Sequence, residues 1–308
     1  MLEIKNLVKK YGTFTAVDNL NLELEKGGIY GFVGPNGAGK TTTMRVVATL
    51  LEATSGTVLV DGINVAEQPV KVRGKIGYMP DFFGVYDNLK VEEYMDFYGS
   101  CYGLPKPERS KRTDELLELV DLRDKRTSYV DTLSRGMKQR LCLARSLIHN
   151  PELLILDEPA SGMDPRARIE MKGILKTLKE MNKTILISSH ILHELAELCT
   201  SIGIIEGGKL VYSGELQDIM RKITGKTILE ITVLDHVDRA VNLLREQPLV
   251  EDISGDGSTL KVSYSGDERD MAELLALLIR GEIPVIAFTR EEGSLEEVFM
   301  EVTKGFEE

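Results

Sequence analysis

The sequence predicts an α/β fold in two domains, on three observations. Up to about residue 220, apolar runs typical of buried strands alternate with helical stretches, as in a sheet that helices cover on both faces. Between about residues 82 and 150, helical spacing continues without a strand, which indicates a helical insertion in the sheet domain. After about residue 220 the segments shorten, which indicates a smaller second domain over 221–308.

The first domain, 1–220, is predicted from its buried strands and from one well-marked helix. Apolar runs at 153–156 and 184–188 predict two strands of the sheet. Between them, Asp164 and Pro165 are typical of a helix N-cap and first turn, and they predict a helix to about residue 181. The predicted helices of the insertion cover 91–102, 108–122 and 137–149.

The predicted elements of the second domain follow the order β-α-β-β-α-β. Strands are predicted at 227–234, 249–253, 260–264 and 284–288. Helices are predicted at 237–246, 267–280 and 295–303. Ser294 and Glu297 match the pattern of a capping box at the start of the last predicted helix. This order favours a ferredoxin-like α+β module.

Composition and charge argue against several classes of protein. Three cysteines without metal-type spacing indicate neither a disulfide framework nor a zinc site, and they suit a reducing cytoplasm. We expect no secretory signal, and no apolar stretch approaches the ~18 residues of a spanning helix, so a membrane role would need a partner. The net charge is −11, and residues 221–308 hold 10 Lys and Arg against 19 Asp and Glu. Nucleic acid is therefore not an expected partner.

The sequence GPNGAGKT at 34–41 matches the phosphate-binding pattern G-x-x-x-x-G-K-[ST] at every fixed position. An apolar run at 29–33 predicts a strand that enters this loop, and the residues after it predict a helix that leaves it. Small residues allow backbone N–H groups to surround phosphates, and the helix N-terminus adds positive charge. The alternative is a glycine-rich turn that arose by chance. The predicted nucleotide contacts are Gly34, Asn36, Gly37, Gly39, Lys40, Thr41 and Thr42.

A pair of carboxylates completes the predicted chemistry of this loop. Lys40 is expected to reach the β- and γ-phosphates of a nucleoside triphosphate, and Thr41 to hold Mg²⁺. The buried strand at 153–156 ends in Asp157 and Glu158. Beside such a loop, Asp157 would bind Mg²⁺, and Glu158 would orient and polarise the attacking water. The alternative is a strand end capped by solvated acids.

The sequence LSRGMKQR at 133–140 resembles the signature motif of ATP-binding cassette (ABC) ATPases. Other parts of the family pattern stand in the expected order. Tyr11 resembles the aromatic residue that stacks on adenine, SGMD at 161–164 resembles the loop that joins two ATP sites, and His190 resembles the switch histidine. SLEEVF at 294–299 is similar to the ending of many ATPase subunits that pair with exporter-type membrane subunits.

The resemblance implies an ATPase subunit of an ABC transporter, with ATP and Mg²⁺ bound and with Glu158 and His190 as catalytic residues. Two such domains, as a homodimer or a closely related heterodimer, would enclose two ATP molecules between the loop of one and the signature motif of the other. Ser134 would offer a hydroxyl and Gly136 an N–H to the facing γ-phosphate, near a helix start expected at Met137. The resemblance also implies separate membrane-spanning subunits, export, and a location on the cytoplasmic face of the cell membrane.

The chain departs from the family pattern in the signature motif and at Asp81. Arg135 stands where glycine is usual, and Met137 stands where glutamine is common. A backbone N–H remains at Arg135 and its charge would lie near a phosphate, so we expect function to be retained. Asp81 stands where a glutamine usually links Mg²⁺ to the membrane subunit. We expect Asp81 to keep this role at the nucleotide and the metal; the alternative is an exposed loop aspartate.

Several residues also have a purely structural interpretation. Tyr11 is either a core residue or the residue that stacks on adenine. Three histidines lack metal-ligand spacing and are expected to be surface or hydrogen-bonded groups. They are His149, His193 and His236. An apolar aromatic cluster beside Asp81 is either packing or a groove for a partner helix. It consists of Phe82, Phe83, Val85 and Tyr86.

Two other functions compete with the transporter interpretation. A soluble ABC-type ATPase that acts on ribosomes or DNA usually has two cassettes in one chain or a long coiled coil, together with basic surfaces. The sequence predicts none of these features. The second competitor is a nucleotide-binding regulator without hydrolysis, which Glu158 and His190 disfavour.

Overall fold

The computed structural model describes residues 1–82, 84, 86, 88–190, 195, 198–216 and 227–291. The chain divides into two compact units, Met1–Glu215 and Leu216–Glu308. The α/β fold predicted for the first part of the chain and the small α+β module predicted after it are both confirmed.

The elements of the first unit follow one another in an order that mixes antiparallel and parallel strands. Its strands are β1 (Leu2–Tyr11), β2 (Phe14–Leu24), β3 (Ile29–Val33), β4 (Ser55–Val60), β5 (Ile63–Asn64), β6 (Ile76–Met79), β7 (Leu153–Asp157), β8 (Thr184–Ser189), β9 (Ser201–Glu206) and β10 (Lys209–Glu215). Its helices are α1 (Lys40–Val47), α2 (Pro69–Arg73), α3 (Val91–Cys101), α4 (Lys106–Leu119), α5 (Arg135–Leu147) and α6 (Pro165–Glu180). Short 3₁₀ helices cover Arg123–Lys125 and Val130–Thr132.

A mostly parallel sheet forms the centre of the first unit, in the order β10-β9-β3-β8-β7-β6. Only β10 runs antiparallel to its neighbour. β3, β7 and β8 are buried along their whole length, which explains their continuous apolar sequences. Because parallel strands end at one edge of a sheet, the residues that follow these three strands lie close together.

A separate antiparallel sheet, which the sequence analysis did not distinguish, has the order β2-β1-β4-β5. Its signal was an alternation of buried and accessible residues in β2, where Leu20, Leu22 and Leu24 face the core. Met44 and Val47 of α1 belong to one hydrophobic core with residues of both sheets. The helix that leaves the phosphate-binding loop is therefore fixed by packing along its length.

The predicted helical insertion is confirmed as α3, α4 and α5, with shifted ends. α4 begins at Lys106 rather than residue 108, with Pro107 in its first turn, a position that proline favours. α5 begins at Arg135 rather than Met137, because Ser134 caps it: the Met137 N–H donates to Ser134 Oγ at 3.3 Å. The predicted cap at Asp164 is confirmed, since Asp164 Oδ1 accepts from the Ala167 N–H at 2.9 Å.

The second unit has its own sheet and its own core. Its elements are β11 (Thr227–Val233), α7 (Val237–Arg245), β12 (Val250–Asp256), β13 (Thr259–Tyr264), α8 (Glu268–Arg280) and β14 (Val285–Glu291). The antiparallel strands lie in the order β12-β13-β11-β14, as in a ferredoxin-like module. The predicted helix at 295–303 and its capping box lie outside the described residues.

Two general features bear on the class of protein. None of the helices in the described part of the chain combines the length and the apolar sequence that crossing a bilayer requires. All three cysteines are free thiols.

Candidate nucleotide-binding and catalytic site

The loop between β3 and α1 depends on the glycine that caps the helix. Gly39 has φ of 109°, and a Cβ there would lie 2.6 Å from the carbonyl oxygen of Ala16. Any other residue would be strained at this position. Asn36 and Gly37 are exposed in the loop, and Thr42 lies in the first turn of α1. The predicted contacts therefore cluster at a helix N-terminus, where anions bind readily.

Lys40 is folded against this loop. Its Nζ donates to the carbonyl oxygens of Gly34 at 2.6 Å and Pro35 at 3.2 Å. The same Nζ lies 3.6 Å from Glu158 Oε1, and the Lys40 side chain is only 6% exposed. A buried ammonium needs such partners. Lys40 is thus in the loop and in contact with the predicted catalytic carboxylate.

Asp157 ends β7 beside the start of α1. Its Oδ1 accepts hydrogen bonds from Thr41 Oγ1 at 3.2 Å and Ser188 Oγ at 2.7 Å. Its Oδ2 is buried and has no hydrogen-bond partner among the described residues. Burial raises the pKa of Asp157, the two hydroxyl hydrogen bonds oppose that shift, and the charges of Asp81 and Glu158 add to it. A buried, unpaired carboxylate oxygen beside a threonine hydroxyl fits a hard divalent cation such as Mg²⁺.

Glu158 lies between two basic side chains. Its Oε2 is 2.9 Å from His190 Nδ1, and its Oε1 faces Lys40. The Glu158 N–H donates to Ser188 Oγ at 3.0 Å. Glu158 has φ of 50°, a strained conformation for a residue with a side chain that costs about 1–3 kcal/mol and is found at functional sites. The two residues predicted as catalytic are in direct contact.

Ser134 and Gly136 lie at the N-terminal end of α5. Ser134 is exposed, and its oxygen caps the helix while its own O–H remains able to donate. A Cβ at Gly136 would lie 3.1 Å from Ala167 Cβ. Close packing of α5 on α6 therefore explains this glycine in addition to the N–H that the sequence analysis emphasised.

Tyr11 and Asp81 are both accessible. Tyr11 is 47% exposed, with Lys9 Nζ 5.1 Å from its ring centroid, so it is not a core residue. Asp81 is exposed. Burial is the main reason why the pKa values of Asp157 and Tyr78 are raised, and the negative charge of Asp81 adds to both shifts. Asp81 therefore lies close enough to Asp157 and Tyr78 to affect their pKa values.

Phe82 and Tyr86, the aromatic residues near Asp81 that the structure describes, are not buried. Phe82 is 92% exposed and Tyr86 is 53% exposed. Tyr86 packs edge to face against Phe97, with 5.5 Å between ring centroids. The other two members predicted for this cluster, Phe83 and Val85, lie outside the described residues.

Of the remaining histidines, His149 has a structural environment. His149 Nε2 lies 2.8 Å from the Ile76 carbonyl oxygen, and its ring stacks on Tyr102 at 3.7 Å. Burial lowers the pKa of His149. His236 is exposed at the start of α7, and His193 lies outside the described residues. No cluster of metal-binding side chains occurs among the residues that were described.

Ser188 contacts both carboxylate residues and was not predicted from the sequence. Its hydroxyl donates to Asp157 and accepts from the Glu158 N–H. The signal was a polar residue at the end of the apolar run 184–188. The contact with the carboxylates becomes evident only from the pairing of β7 with β8, which places Asp157 opposite Ser188.

The parallel sheet, the phosphate-binding loop and the carboxylates that meet at the ends of β3, β7 and β8 define a P-loop NTPase. The helical insertion and the antiparallel sheet make it a cassette of the kind that the signature motif implied. Comparisons with known proteins agree with this class.

Two family profiles match the chain. Residues 17–161 match the profile described as ABC transporter. Residues 214–303 match the C-terminal domain of ATP-binding proteins described as DrrA1-3-like. Two curated relatives are similar over nearly the whole chain. The linearmycin resistance ATP-binding protein LnrL of Bacillus subtilis (strain 168) is 34% identical, with 98% of each chain covered. The bacitracin transport ATP-binding protein BcrA of Bacillus licheniformis is 36% identical, with 99% of this chain and 98% of the relative covered.

The chain therefore belongs to the family of ABC transporter ATP-binding subunits, and it is an ATPase. A solved structure of an ATP-binding subunit of an ABC transporter has a TM-score of 0.66 and 30% identity, over 73% of this chain and 93% of that one. The dimeric structure of a bacterial ABC transporter cassette has a TM-score of 0.65 and 26% identity, over 70% of this chain and 99% of that one.

Proposed function

We propose that this ATPase subunit works as one half of a dimer that drives export through separate membrane-spanning subunits, from the cytoplasmic face of the cell membrane. The observation that carries the direction is similarity along the whole chain to relatives named for resistance, transport and export. One of these is the Nod factor export ATP-binding protein I of Cupriavidus metallidurans, 34% identical with 98% of this chain and 97% of the relative covered.

The proposed roles of the site residues follow from their contacts. Lys40 binds the β- and γ-phosphates of ATP, which offer the ammonium a stronger partner than backbone carbonyls do. Glu158, between Lys40 and His190, orients the attacking water and accepts its proton. His190 holds the Glu158 carboxylate through Nδ1. Tyr11, accessible at the end of β1, stacks on adenine.

Mg²⁺ fits the carboxylate edge of the site. Thr41 and Asp157 would hold it, because Asp157 Oδ2 is buried without a partner among the described residues and Thr41 Oγ1 lies beside Asp157. Asp81, which affects the pKa of Asp157, would add a third oxygen donor. When bound, Mg²⁺ neutralises charge on the phosphate oxygens.

The second half of each ATP site comes from the partner subunit in this proposal. Ser134 and Gly136 stand at a helix N-terminus, and Ser134 is exposed. The similarity to a dimeric cassette supports an arrangement in which this end of α5 faces the γ-phosphate on the partner. Exposed Phe82 and Tyr86, together with Asp81, offer the membrane subunit an apolar surface with one charged group.

Mixing two inactive variants tests the dimeric site. Lys40→Ala removes the phosphate ligand, and Ser134→Arg blocks the signature motif. In a mixed dimer, one site carries both changes and the other carries neither, so hydrolysis should return to a substantial fraction of the wild-type rate. A mixture no more active than either variant alone would show that Ser134 acts within its own chain.

Isolation of the chain from its native host tests the transporter assignment. A membrane-spanning subunit should copurify, and its addition should stimulate ATP hydrolysis by the wild-type chain. Ribosomes or DNA in place of a membrane protein would contradict the proposal.

A further inference from the structure

Arg135, the signature-motif residue that departs from the usual glycine, contacts the loop that follows Glu158. Its Nη2 donates to the carbonyl oxygen of Ser161 at 3.2 Å. Gln139 Nε2 donates to the same oxygen at 2.9 Å. Residues 135 and 139 are one helical turn apart on the same face of α5. One carbonyl of the loop is therefore bound by two side chains of the signature helix.

The guanidinium of Arg135 also lies against Gly162. A Cβ at Gly162 would be 2.5 Å from Arg135 Cζ and 2.5 and 2.6 Å from its two terminal nitrogens. Three nearly equal distances place the flat face of the guanidinium over this glycine. Gly162 has φ of 66°, which glycine adopts without strain. A side chain at position 162 would disturb this contact.

The loop is joined in turn to Glu158. The Ser161 N–H donates to the Glu158 carbonyl oxygen at 3.0 Å, which closes a turn directly after the proposed catalytic carboxylate. A continuous series of contacts therefore leads from Arg135 through Ser161 to Glu158. Ser134 and Gly136, on either side of Arg135, belong to the motif proposed to face the partner's ATP.

We propose that Arg135 is a positioning residue that couples the two ATP sites of the dimer. This inference rests on the proposed dimeric function. The signature motif of a subunit faces ATP held by its partner, whereas Glu158 of that subunit faces its own ATP. Arg135 holds the signature helix and the loop after Glu158 in a fixed position relative to each other. Closure of one ATP site on the signature helix therefore positions the Glu158 carboxylate at the other site. Its flat guanidinium and its hydrogen bond, rather than its charge alone, carry this role.

Arg135→Gly and Arg135→Lys separate this role from a purely electrostatic one. Lysine keeps the positive charge but cannot cover Gly162 with a planar group. We expect both variants to lower kcat about fivefold, the effect of losing one hydrogen bond of ordinary strength. We also expect the Hill coefficient for ATP to fall towards 1. The Kd for ATP should change little, because the Lys40 loop that binds the phosphates is unaltered. Arg166→Ala removes another exposed arginine, which pairs with Glu170 within α6, and should leave all three values unchanged.

A double-mutant cycle with Gly162→Ala tests the contact itself. Alanine at 162 carries the cost of a positive φ in any background, but only in the wild type does it also push the guanidinium away. Its effect on kcat should therefore be about fivefold smaller in the Arg135→Gly background.

Three results would be decisive. Additive effects in the cycle would overturn the proposal, and so would wild-type kcat and Hill coefficient in Arg135→Lys, because charge alone would then suffice. A wild-type chain that hydrolyses ATP without any dimer would instead contradict the proposed dimeric function, and the coupling with it. The thermal melting of each variant shows whether a loss of activity reflects unfolding.

Discussion

Glu158 illustrates how individual residues of this site have two tasks. Its carboxylate contacts His190 at 2.9 Å and Lys40 at 3.6 Å, so it organises the basic groups around it. The same carboxylate is the proposed base. Charge and shape can be separated at this position because glutamine keeps the size of glutamate and removes its charge.

We predict that Glu158→Gln suppresses hydrolysis while ATP binding is retained. The amide cannot accept a proton, a loss typically worth about 10²–10⁴ in rate. It also removes a negative charge beside Lys40, so ATP should bind at least as tightly and an ATP-bound dimer should accumulate. Turnover assays, nucleotide titration and gel filtration with ATP and Mg²⁺ measure these effects.

Two variants frame this prediction. Glu67→Gln changes an exposed glutamate that accepts a hydrogen bond from Asn64, and it should behave as wild type. Lys40→Ala should instead fail to bind ATP. Normal turnover in Glu158→Gln would remove that residue from catalysis, and normal ATP affinity in Lys40→Ala would contradict the role of the loop.

Asp81 gives a prediction about metal dependence. Asp81→Asn should remove one negative charge from the proposed Mg²⁺ site. Because this charge also contributes to the raised pKa of Asp157, the same substitution should lower that pKa. We expect half-maximal hydrolysis to need more Mg²⁺, by about threefold, and stimulation by the membrane subunit to weaken. Asp131→Asn, at another exposed aspartate, is the matched control. If both Mg²⁺ dependence and stimulation stay unchanged, Asp81 is only an exposed loop residue.

Motifs located most of the site residues, because each motif has fixed spacing along the chain. The contact of Thr41 with Asp157 and that of Lys40 with Glu158 join positions predicted separately. Ser188 could not be assigned in this way. Its position beside Asp157 depends on the register of β7 against β8. Local sequence does not determine the register between strands that are distant along the chain.

At the scale of elements, a ring of four charged side chains joins the ends of strands from both sheets of the first unit. Lys26 lies 3.1 Å from Asp61 and 3.3 Å from Glu152, while Lys75 lies 2.6 Å and 2.8 Å from the same carboxylates. Asp61 follows β4 of the antiparallel sheet, and Glu152 precedes β7 of the parallel sheet. Hydrogen bonds from Lys75 and then Lys26 lower the pKa of Asp61 to about 2.

We predict a stability effect of this ring that depends on pH. Because the pKa of Asp61 is lower in the folded protein, its contribution is complete above the unfolded value of 3.8 and is lost as pH falls through 2. The ring is partly exposed, so Asp61→Asn should lower Tm at pH 7 by only about 1–3 °C. That difference should shrink by roughly half by pH 3.

Melting curves at several pH values test this prediction. Glu3→Gln breaks the isolated exposed pair of Glu3 with Lys5, and it should change Tm less than Asp61→Asn does. A difference between wild type and Asp61→Asn that stays constant from pH 7 to pH 3 would show that the ring does not act through the charge of Asp61.

Buried elements were easier to predict than the antiparallel sheet. The short, continuous apolar runs of β7 and β8 are typical of strands that are buried on both faces of a sheet. In β1 and β2, apolar residues alternate with many polar ones, and the pairing of the two strands has several register shifts. Local sequence alone therefore defines these strands poorly. The start of α5 moved to Arg135 because the side chain of Ser134, rather than apolar spacing, determines where that helix begins.

At the scale of the whole molecule, each of the two units has a hydrophobic core among the residues that the structure describes. One core contains residues of both sheets and of α1, and the other contains residues of β11, β13, α7 and α8. The predicted change near residue 220 came from segment length, and the structure divides the chain at Glu215 and Leu216. From sequence we predict only that the second unit supports or regulates rather than catalyses, because a ferredoxin-like fold does not by itself specify a ligand or partner.

Because the first unit has a hydrophobic core of its own, we can predict the effect of truncation. Every residue proposed to bind nucleotide lies between Tyr11 and His190, and residues 221–308 carry nearly twice as many acidic as basic side chains, which disfavours a polyphosphate. A chain of residues 1–215 should therefore fold and bind ATP with a Kd within about threefold of the full chain, because a compact unit with its own core can fold alone. Circular dichroism measures folding, and nucleotide titration measures ATP binding. Lys40→Ala in the truncated chain is the negative control, since it should fold but not bind ATP. If the truncated chain folds but does not bind ATP, the second unit completes the nucleotide site, and its role is binding rather than support or regulation.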